Sequence, residues 1–275
     1  MTVNMSAIWC QAKSILLKTI TTIGLTIMIA TKASGAPVFK LKPAQYYFTD
    51  RKTLALLNSA LAGDLPKANQ LIAEGANPND EGPRDNPYNR IRLLHYAIAA
   101  NSATAVKTLI AVGADPELNA QGFGEAFLFV MTLGKRDMLS LLLDLRPVAN
   151  LSRRTLKAML FESVTQPCQV CLELLLNRGA PIDYPDDAGN TIMMSAMDAQ
   201  DYDLAEWLLL RGASVHIMAG GDMSPAYLVQ FHLQKFKQGS PTYTKVLHLK
   251  KMMEERGAVF PALSPAEVRA RRARS

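Results

Sequence analysis

Cysteine, histidine and tryptophan are scarce in this 275-residue sequence, which contains 3, 4 and 2 of them. Cys10 stands alone near the start, and Cys168 and Cys171 form a single Cys-x-x-Cys pair. A zinc site at that pair would need two more ligands nearby. The four histidines show no metal-binding spacing: His95, His216, His232 and His248. We therefore predict neither a metal site nor another cofactor.

Motifs of common catalytic sites are also absent. The sequence has no Gly-x-Ser-x-Gly segment, and Gly134-Lys135 lacks the other residues of a phosphate-binding loop. Gly122-Phe123-Gly124 lacks the third glycine of a dinucleotide-binding fingerprint, so we interpret it as a turn. The sequence therefore predicts a protein without catalytic activity.

The middle of the chain carries no excess charge. The formal net charge is +6, and it falls to +3 when the three lysines before Ser34 are left out. Four arginines and one glutamate in the segment SPAEVRARRARS account for that +3. A nucleic-acid-binding protein is expected to place its excess charge on a folded face, so no nucleic-acid partner is predicted. The basic tail 261–275 is predicted to be a solvated, frayed end; contact with an anionic lipid or an acidic partner is the alternative.

No apolar run reaches the roughly 20 residues that a membrane helix needs. The segment TITTIGLTIMIAT between Lys18 and Lys32 is shorter, and small residues follow it from Ala33. This arrangement is typical of a secretory signal peptide, which we place at residues 1–33, with cleavage after Ala33 or Gly35. An uncleaved signal anchor is the alternative. Residues 34–50 then form a short lead-in.

A regular period fills the rest of the chain. Leucine-rich segments end in Gly-Ala at Gly75, Gly113, Gly179, Gly212 and Gly257, with Arg146 in the same place once. Successive ends lie 38, 33, 33, 33 and 45 residues apart. A recurring period of 33 residues is typical of a helix-turn-helix repeat that must stack on its neighbours to bury its apolar face. The repeat region covers residues 51–260.

The repeats resemble the ankyrin-repeat family. The fifth unit carries Asp186, Gly189, Thr191, Ala196 and Leu204 in the places where the family has its turn and helix residues. The second unit carries the family's Leu-His-x-Ala as Leu94 to Ala97, and this resemblance gives His95 a structural role. It implies an all-α solenoid of about six helix-turn-helix repeats with β-hairpin fingers, curved into an extended concave surface.

Departures from the period are the places where we look for function. The loop 80–92 lengthens the first step by five residues and indicates an enlarged hairpin, as a partner-binding finger or a tolerated surface insertion. The last unit is about 12 residues too long for the period and is interpreted as an atypical capping repeat, whose first helix extends to Lys237. Candidate partner-binding residues in the loop and at other hairpin positions are Arg84, Asp85, Tyr88, Arg90, Phe123, Glu125, Arg153, Arg154, Tyr184, Asp186, Asp187 and Asp222.

Cys168 and Cys171 stand at the predicted start of the second helix of the fourth unit. Cys171 falls on a core position of the repeat, which favours a structural thiol or a local disulfide. A helix start also lowers the pKa of a thiol, so a redox or metal role stays open.

Binding of another protein is the function that a stacked-repeat surface favours. An exported chain of this type resembles the periplasmic ankyrin-repeat immunity proteins that neutralise toxic effector enzymes, including lipases delivered by type VI secretion. The resemblance implies a periplasmic protein that blocks an enzyme's active site, as a monomer or in a 1:1 heterodimer. A cell-envelope scaffold or stress-protection factor that binds resident proteins is the alternative.

Overall fold

The computed structural model describes residues 30–31, 37–83, 90–165 and 168–274, and these form a helical protein. Two short strands, β1 (Ala30–Thr31) and β2 (Pro37–Val38), pair antiparallel. The helices, in chain order, are α1 (Ala44–Tyr47), α2 (Arg51–Ala62), α3 (Leu65–Ala73), α4 (Leu93–Ala99), α5 (Ala103–Ala111), α6 (Ala126–Thr132), α7 (Arg136–Leu145), α8 (Arg153–Thr165), α9 (Gln169–Asn177), α10 (Ile192–Asp198), α11 (Tyr202–Leu210), α12 (Pro225–Lys235), α13 (Pro241–Glu254) and α14 (Pro265–Arg272). Of the predicted signal peptide, residues 1–33, only Ala30–Thr31 fall within the described residues.

The helices form two compact units, Met1–Leu145 and Arg146–Ser275. In the first unit, the pairs α2/α3, α4/α5 and α6/α7 stack so that α2 contacts α5, α4 contacts α6 and α5 contacts α7. In the second unit, α8/α9, α10/α11 and α12/α13 stack through α8 with α10, α10 with α12 and α11 with α13. The predicted helix-turn-helix repeats are therefore confirmed, with three pairs in each unit.

Polar side chains start the helices where the sequence indicated. The hydroxyl of Thr191 accepts a hydrogen bond from the amide of Met194, and that of Ser224 accepts one from the amide of Tyr227. Pro225 follows Ser224 at the first helical position, where the missing N–H has no partner to lose. These bonds satisfy amides that would otherwise be unpaired at each helix start.

Glycine ends the second helix of five of the six pairs. The glycines at 75, 113, 179, 212 and 257 all have positive φ, between 89° and 98°, a region in which a Cβ is costly. The exception is Arg146 in the third pair, which is followed by Pro147 and a 3-10 turn at Val148–Asn150. The boundary between the two units falls here.

Small and aliphatic residues build the core. The predicted close-packing alanines Ala60, Ala97 and Ala196 are fully buried, as are Leu142 and Leu208 of the leucine-rich helices. Alanine lets neighbouring helices approach closely, and the leucines fill the space between the layers.

The fourth repeat differs from its neighbours because a helix replaces its hairpin. α4, α6 and α10 have seven residues each, whereas α8 has 13. Ser152 caps α8 by accepting a hydrogen bond from the amide of Thr155, and no glycine lies nearby to form a tight turn. The assignment of Arg153 and Arg154 to a hairpin was therefore wrong, since both lie in the first turn of α8.

The last repeat and the tail also differ from expectation. α12 ends at Lys235, two residues earlier than predicted, because Phe236 turns to an extended backbone and its ring packs against Tyr202 and His232. The tail is not a frayed end: Pro265–Arg272 forms α14, with a capping box between Ser264 and Glu267.

Candidate functional site

An open cleft in the second unit collects five of the predicted partner-binding residues. It lies between the first two turns of α8 and the loop before α10, and has a volume of about 400 Å³. Its walls are Arg153, Arg154 and Lys157 on one side and Tyr184, Pro185, Asp186 and Asp187 on the other. Helix α8 packs against α10, and this contact holds the two walls of the cleft together.

The loop wall is held in shape by Asp186. Its carboxylate accepts hydrogen bonds from the amides of Ala188 and Asn190, each at 2.8 Å, and from the side-chain amide of Asn190 at 3.1 Å. The amide of Asp186 in turn donates to the carbonyl of Asn190 at 2.9 Å. The Asp186 carboxylate therefore stabilises the turn, as aspartates in such loops commonly do. Tyr184 and Asp187 are the other polar side chains that form the surface of this wall.

The helical wall is positively charged. Arg153 and Arg154 are exposed in the first turn of α8, which contains no acidic residue. Cations are disfavoured at a helix N-terminus because that end carries partial positive charge. Lys157, one turn on, contacts the carboxylate of Asp187 at 2.6 Å. The Asp187 side chain is 91% exposed, so this ion pair is a surface contact worth about 0–1 kcal/mol.

Lys157 and Pro185 are the two cleft residues that sequence analysis missed, and Lys157 is the charged one. The position of Lys157 is explained by the start of α8 after Ser152, which places residues 153, 154 and 157 on neighbouring turns. Interpreting Ser152 as a helix cap instead of as part of a hairpin would have placed Lys157 beside Arg153 and Arg154.

The first finger is tied down at its base. Glu81 accepts a hydrogen bond from the amide of Gln121 at 2.8 Å and pairs with Arg90 at 3.0 Å and with Arg92 at 3.6 Å. Arg92 also donates to the carbonyl of Asn119. Arg90 donates to the side-chain oxygen of Gln121 at 3.2 Å, so it has a structural role in joining the loop 80–92 to the loop before α6. Arg84, Asp85 and Tyr88 lie outside the described residues.

Phe123 and Glu125 lie in packed surroundings. The Phe123 ring makes edge contacts with Phe39 at 5.7 Å and Phe129 at 5.6 Å. Glu125 precedes α6 and is only 5% exposed. Neither side chain presents the exposed surface that a partner-binding anchor requires. Phe123 packs against the lead-in at Phe39, and Glu125 is buried.

His95 is a buried structural residue, as its place in the repeat predicted. It is 1% exposed, and its Nε2 donates to the carbonyl oxygen of Gly124 at 3.0 Å. Its Nδ1 is buried without a hydrogen-bond partner. Burial lowers the pKa of His95 to about 4, with a smaller contribution from the charge of Arg92 and an opposing one from the Gly124 bond. The ring therefore stays neutral at pH 7.

Asp222 is covered by the C-terminal helix. Its carboxylate contacts Arg272 at 2.8 Å and Arg269 at 3.7 Å, and Arg269 also donates to the carbonyl of Gly221 at 3.2 Å. The side chain retains 15% exposure. The basic tail thus binds a residue of its own chain that sequence analysis had assigned to a partner.

Cys168 and Cys171 are joined by a disulfide at the start of α9. Cys168 is half-buried at the N-cap, whereas Cys171 in the first turn is 2% exposed.

A buried pair of polar side chains lies in the core of the second unit. The Tyr202 hydroxyl and Nδ1 of His232 lie 2.9 Å apart. Burial and nearby Asp198 raise the pKa of Tyr202 to about 12, and burial lowers the pKa of His232. Both groups stay neutral at pH 7, and each satisfies the other's hydrogen bond within the packed helices.

Within the described ranges, no three His, Cys, Asp or Glu side chains are grouped so that they could hold a metal ion. A search of the same residues also finds no helix with the length and apolarity needed to cross a membrane. The cleft presents charged and aromatic groups on an open surface, an arrangement suited to contact with another macromolecule.

No family model matches the chain, and no curated protein matches it. Its fold does resemble solved structures. The ankyrin repeat domain of Bcl-3, a member of the IkappaB protein family, shares 21% identity with a TM-score of 0.50, over 73% of this chain and 97% of that one. EF0377, an ankyrin repeat protein, shares 22% identity with a TM-score of 0.49, over 74% and 98%. The human ASB11 ankyrin repeat domain shares 23% identity with a TM-score of 0.45, over 75% and 85%. The stacked helix pairs and the likeness to the Bcl-3 domain together show that this chain has the ankyrin-repeat fold.

Proposed function

We propose that this protein is a non-catalytic binding module for another protein, and that it acts in the periplasm as an immunity protein. In this proposal it binds a toxic effector enzyme, such as a lipase delivered by type VI secretion, and blocks the active site. The observation that carries the binding role is the cleft between α8 and the loop 184–187. There the repeat pattern is broken, Arg153 and Arg154 are exposed, and Tyr184 is half-buried.

The chemistry of the cleft suits an interface. Arginine and tyrosine are enriched among the residues that contribute most to protein–protein binding, and Arg153 and Tyr184 both line the cleft. The Lys157–Asp187 ion pair is exposed and weak. An acidic group of a partner can therefore replace Asp187 on Lys157 with little loss of stability.

The repeat pattern gives a second reason. Regular repeats fix the helices and the turns by local rules, so a position that departs from those rules is free to serve another purpose. The start of α8 places two arginines at the positive end of a helix with no acid in the first turn. A negatively charged partner surface would attract both the arginines and the positive end of the helix.

The periplasmic and immunity parts rest on the apolar segment near the start of the sequence and on the resemblance stated above. Both are tested in cells. The protein is expressed with and without residues 1–33 in bacteria that produce a candidate lipase effector in the periplasm. Survival is expected only with the full-length form, and fractionation should find the mature protein in the periplasm. Equal survival of cells with and without the protein would refute the immunity role.

Binding is measured separately with purified protein. The double variant Arg153→Glu/Arg154→Glu is expected to weaken the complex by about 10- to 100-fold, because two contacts become repulsive. Lys237→Glu/Arg274→Glu is the matched control, since it makes the same change in net charge at two residues that are exposed in the same unit outside the cleft. Equal affinities of both variants and the wild type would exclude the cleft. A complex formed only with resident envelope proteins, without protection, would favour the scaffold role instead.

A further inference from the structure

The fourth repeat differs from four of the other five in the residue that precedes its second helix; the third repeat, with Lys135 in that place, is the other exception. Four of the corresponding helices begin with an aspartate or serine whose side chain accepts a hydrogen bond from the amide three residues on. They are α3 at Asp64, α5 at Ser102, α11 at Asp201 and α13 at Ser240. In α9 this place belongs to Cys168, which makes no side-chain capping bond. The backbone ψ is similar, 72° at Cys168 and 77° at Asp201, whereas φ is more extended at Cys168, -127° against -86°.

The partner in the disulfide occupies the matching position. Cys171 is the third residue of α9, so its amide is the one that a side chain at position 168 would cap. While the disulfide is closed, the Cys168 sulfur is bound to the Cys171 sulfur and carries no charge. When the disulfide is open, a Cys168 thiolate can accept the Cys171 amide as Asp201 accepts that of Leu204. The positive end of the helix also favours a thiolate there.

We propose that Cys168–Cys171 is a thiol–disulfide exchange site, attacked at the Cys168 sulfur, and that Cys168 in the reduced protein is a thiolate that caps α9. Two observations support exchange over a purely structural bond. The loop that the disulfide closes is among the shortest possible, and short loops give the least entropic stabilisation. The two cysteines also differ in exposure, since Cys168 is half-buried and Cys171 is 2% exposed.

The reaction uses a dithiol as the reductant. One of its thiolates attacks the Cys168 sulfur, the Cys168–Cys171 bond breaks, and Cys171 leaves as a thiolate that takes up a proton. The second thiolate of the reductant then attacks its own mixed disulfide, and Cys168 leaves as the capping thiolate. The reductant is oxidised to its disulfide, and the protein gains two electrons. This inference does not depend on the proposed immunity role.

The equilibrium test uses the full chain with Cys10→Ser, so that Cys168 and Cys171 are the only cysteines that can be oxidised or alkylated. The protein is equilibrated with mixtures of reduced and oxidised dithiothreitol or glutathione, trapped by alkylation and counted by mass spectrometry, with circular dichroism to follow folding. Reduction of the folded protein is expected, with any glutathione mixed disulfide located on Cys168. A disulfide that opens only after unfolding, or a mixed disulfide on Cys171, would overturn the proposal.

Single variants test the thiolate. With Cys171→Ser, Cys168 is expected to react with iodoacetamide at pH 7 about 10-fold faster than in the same variant unfolded in urea, because the fraction of thiolate is higher in the fold. With Cys168→Ser, Cys171 is expected to react more slowly in the folded protein than in urea. Equal rates for Cys168 in the folded and unfolded states would contradict the capping thiolate, even if exchange occurs.

Discussion

His95 gives the sharpest quantitative prediction because it is a neutral, buried base. Its pKa is about 4 in the folded protein, against an ordinary value of 6.5. Protons therefore bind the unfolded chain more strongly than the folded one. The stabilisation that this difference provides is fully present above pH 6.5 and is lost as pH falls from there toward 4.

The size of the effect follows from the two pKa values. The full difference corresponds to about 3 kcal/mol of unfolding free energy, of which about 2 kcal/mol is lost between pH 7.5 and pH 5. We compare the wild type with His95→Gln, whose side-chain amide can still donate to the Gly124 carbonyl but does not titrate. Lowered carboxylate pKa values, such as that of Asp50, act in both proteins and cancel in the difference.

The assay is urea denaturation followed by far-ultraviolet circular dichroism at pH 7.5, 6 and 5. Between pH 7.5 and pH 5, the unfolding free energy of the wild type should fall by about 2 kcal/mol more than that of His95→Gln. His216→Gln, at an exposed histidine, is the control and should follow the wild type. Parallel pH profiles for the wild type and His95→Gln would refute the assignment of a buried neutral imidazole.

Three further changes are predicted. Gly220→Ala places a Cβ 2.3 Å from the carbonyl oxygen of Ala188, so it should destabilise the protein by about 1–3 kcal/mol in urea denaturation; an unchanged midpoint would contradict the close finger contact. Asp222→Asn removes the charge that holds α14, so trypsin should cleave α14 faster while overall stability changes by less than about 1 kcal/mol; unchanged cleavage would argue against the contact. Cys168→Asp/Cys171→Ala should exceed Cys168→Ala/Cys171→Ala in stability by about 1 kcal/mol, because aspartate restores a helix cap; equal stabilities would exclude a capping position.

The repeat architecture was predictable because its signals are local. A glycine such as Gly212 is required where the backbone turns left-handed after a helix, and a cap such as Thr191 pairs with an amide three residues away. Both signals depend on near neighbours in the sequence, so spacing alone revealed them.

The candidate site was only partly predictable because it depends on long-range contacts and on one missing hairpin. Arg153, Tyr184 and Asp187 were identified as residue types suited to an interface, but their meeting in one cleft follows from the packing of α8 against α10. The docking of α14 depends on the contact between Asp222 and Arg272, 50 positions apart, and no local pattern encodes it.

The contact between α14 and Asp222 has a practical consequence for handling the protein. A purification tag fused after Ser275 would follow directly on the arginines of that helix. An aspartate-rich epitope placed there would compete with Asp222 for Arg269 and Arg272. Neutral tags should leave α14 in place. Comparing the two kinds of fusion therefore measures the strength of the contact between α14 and Asp222.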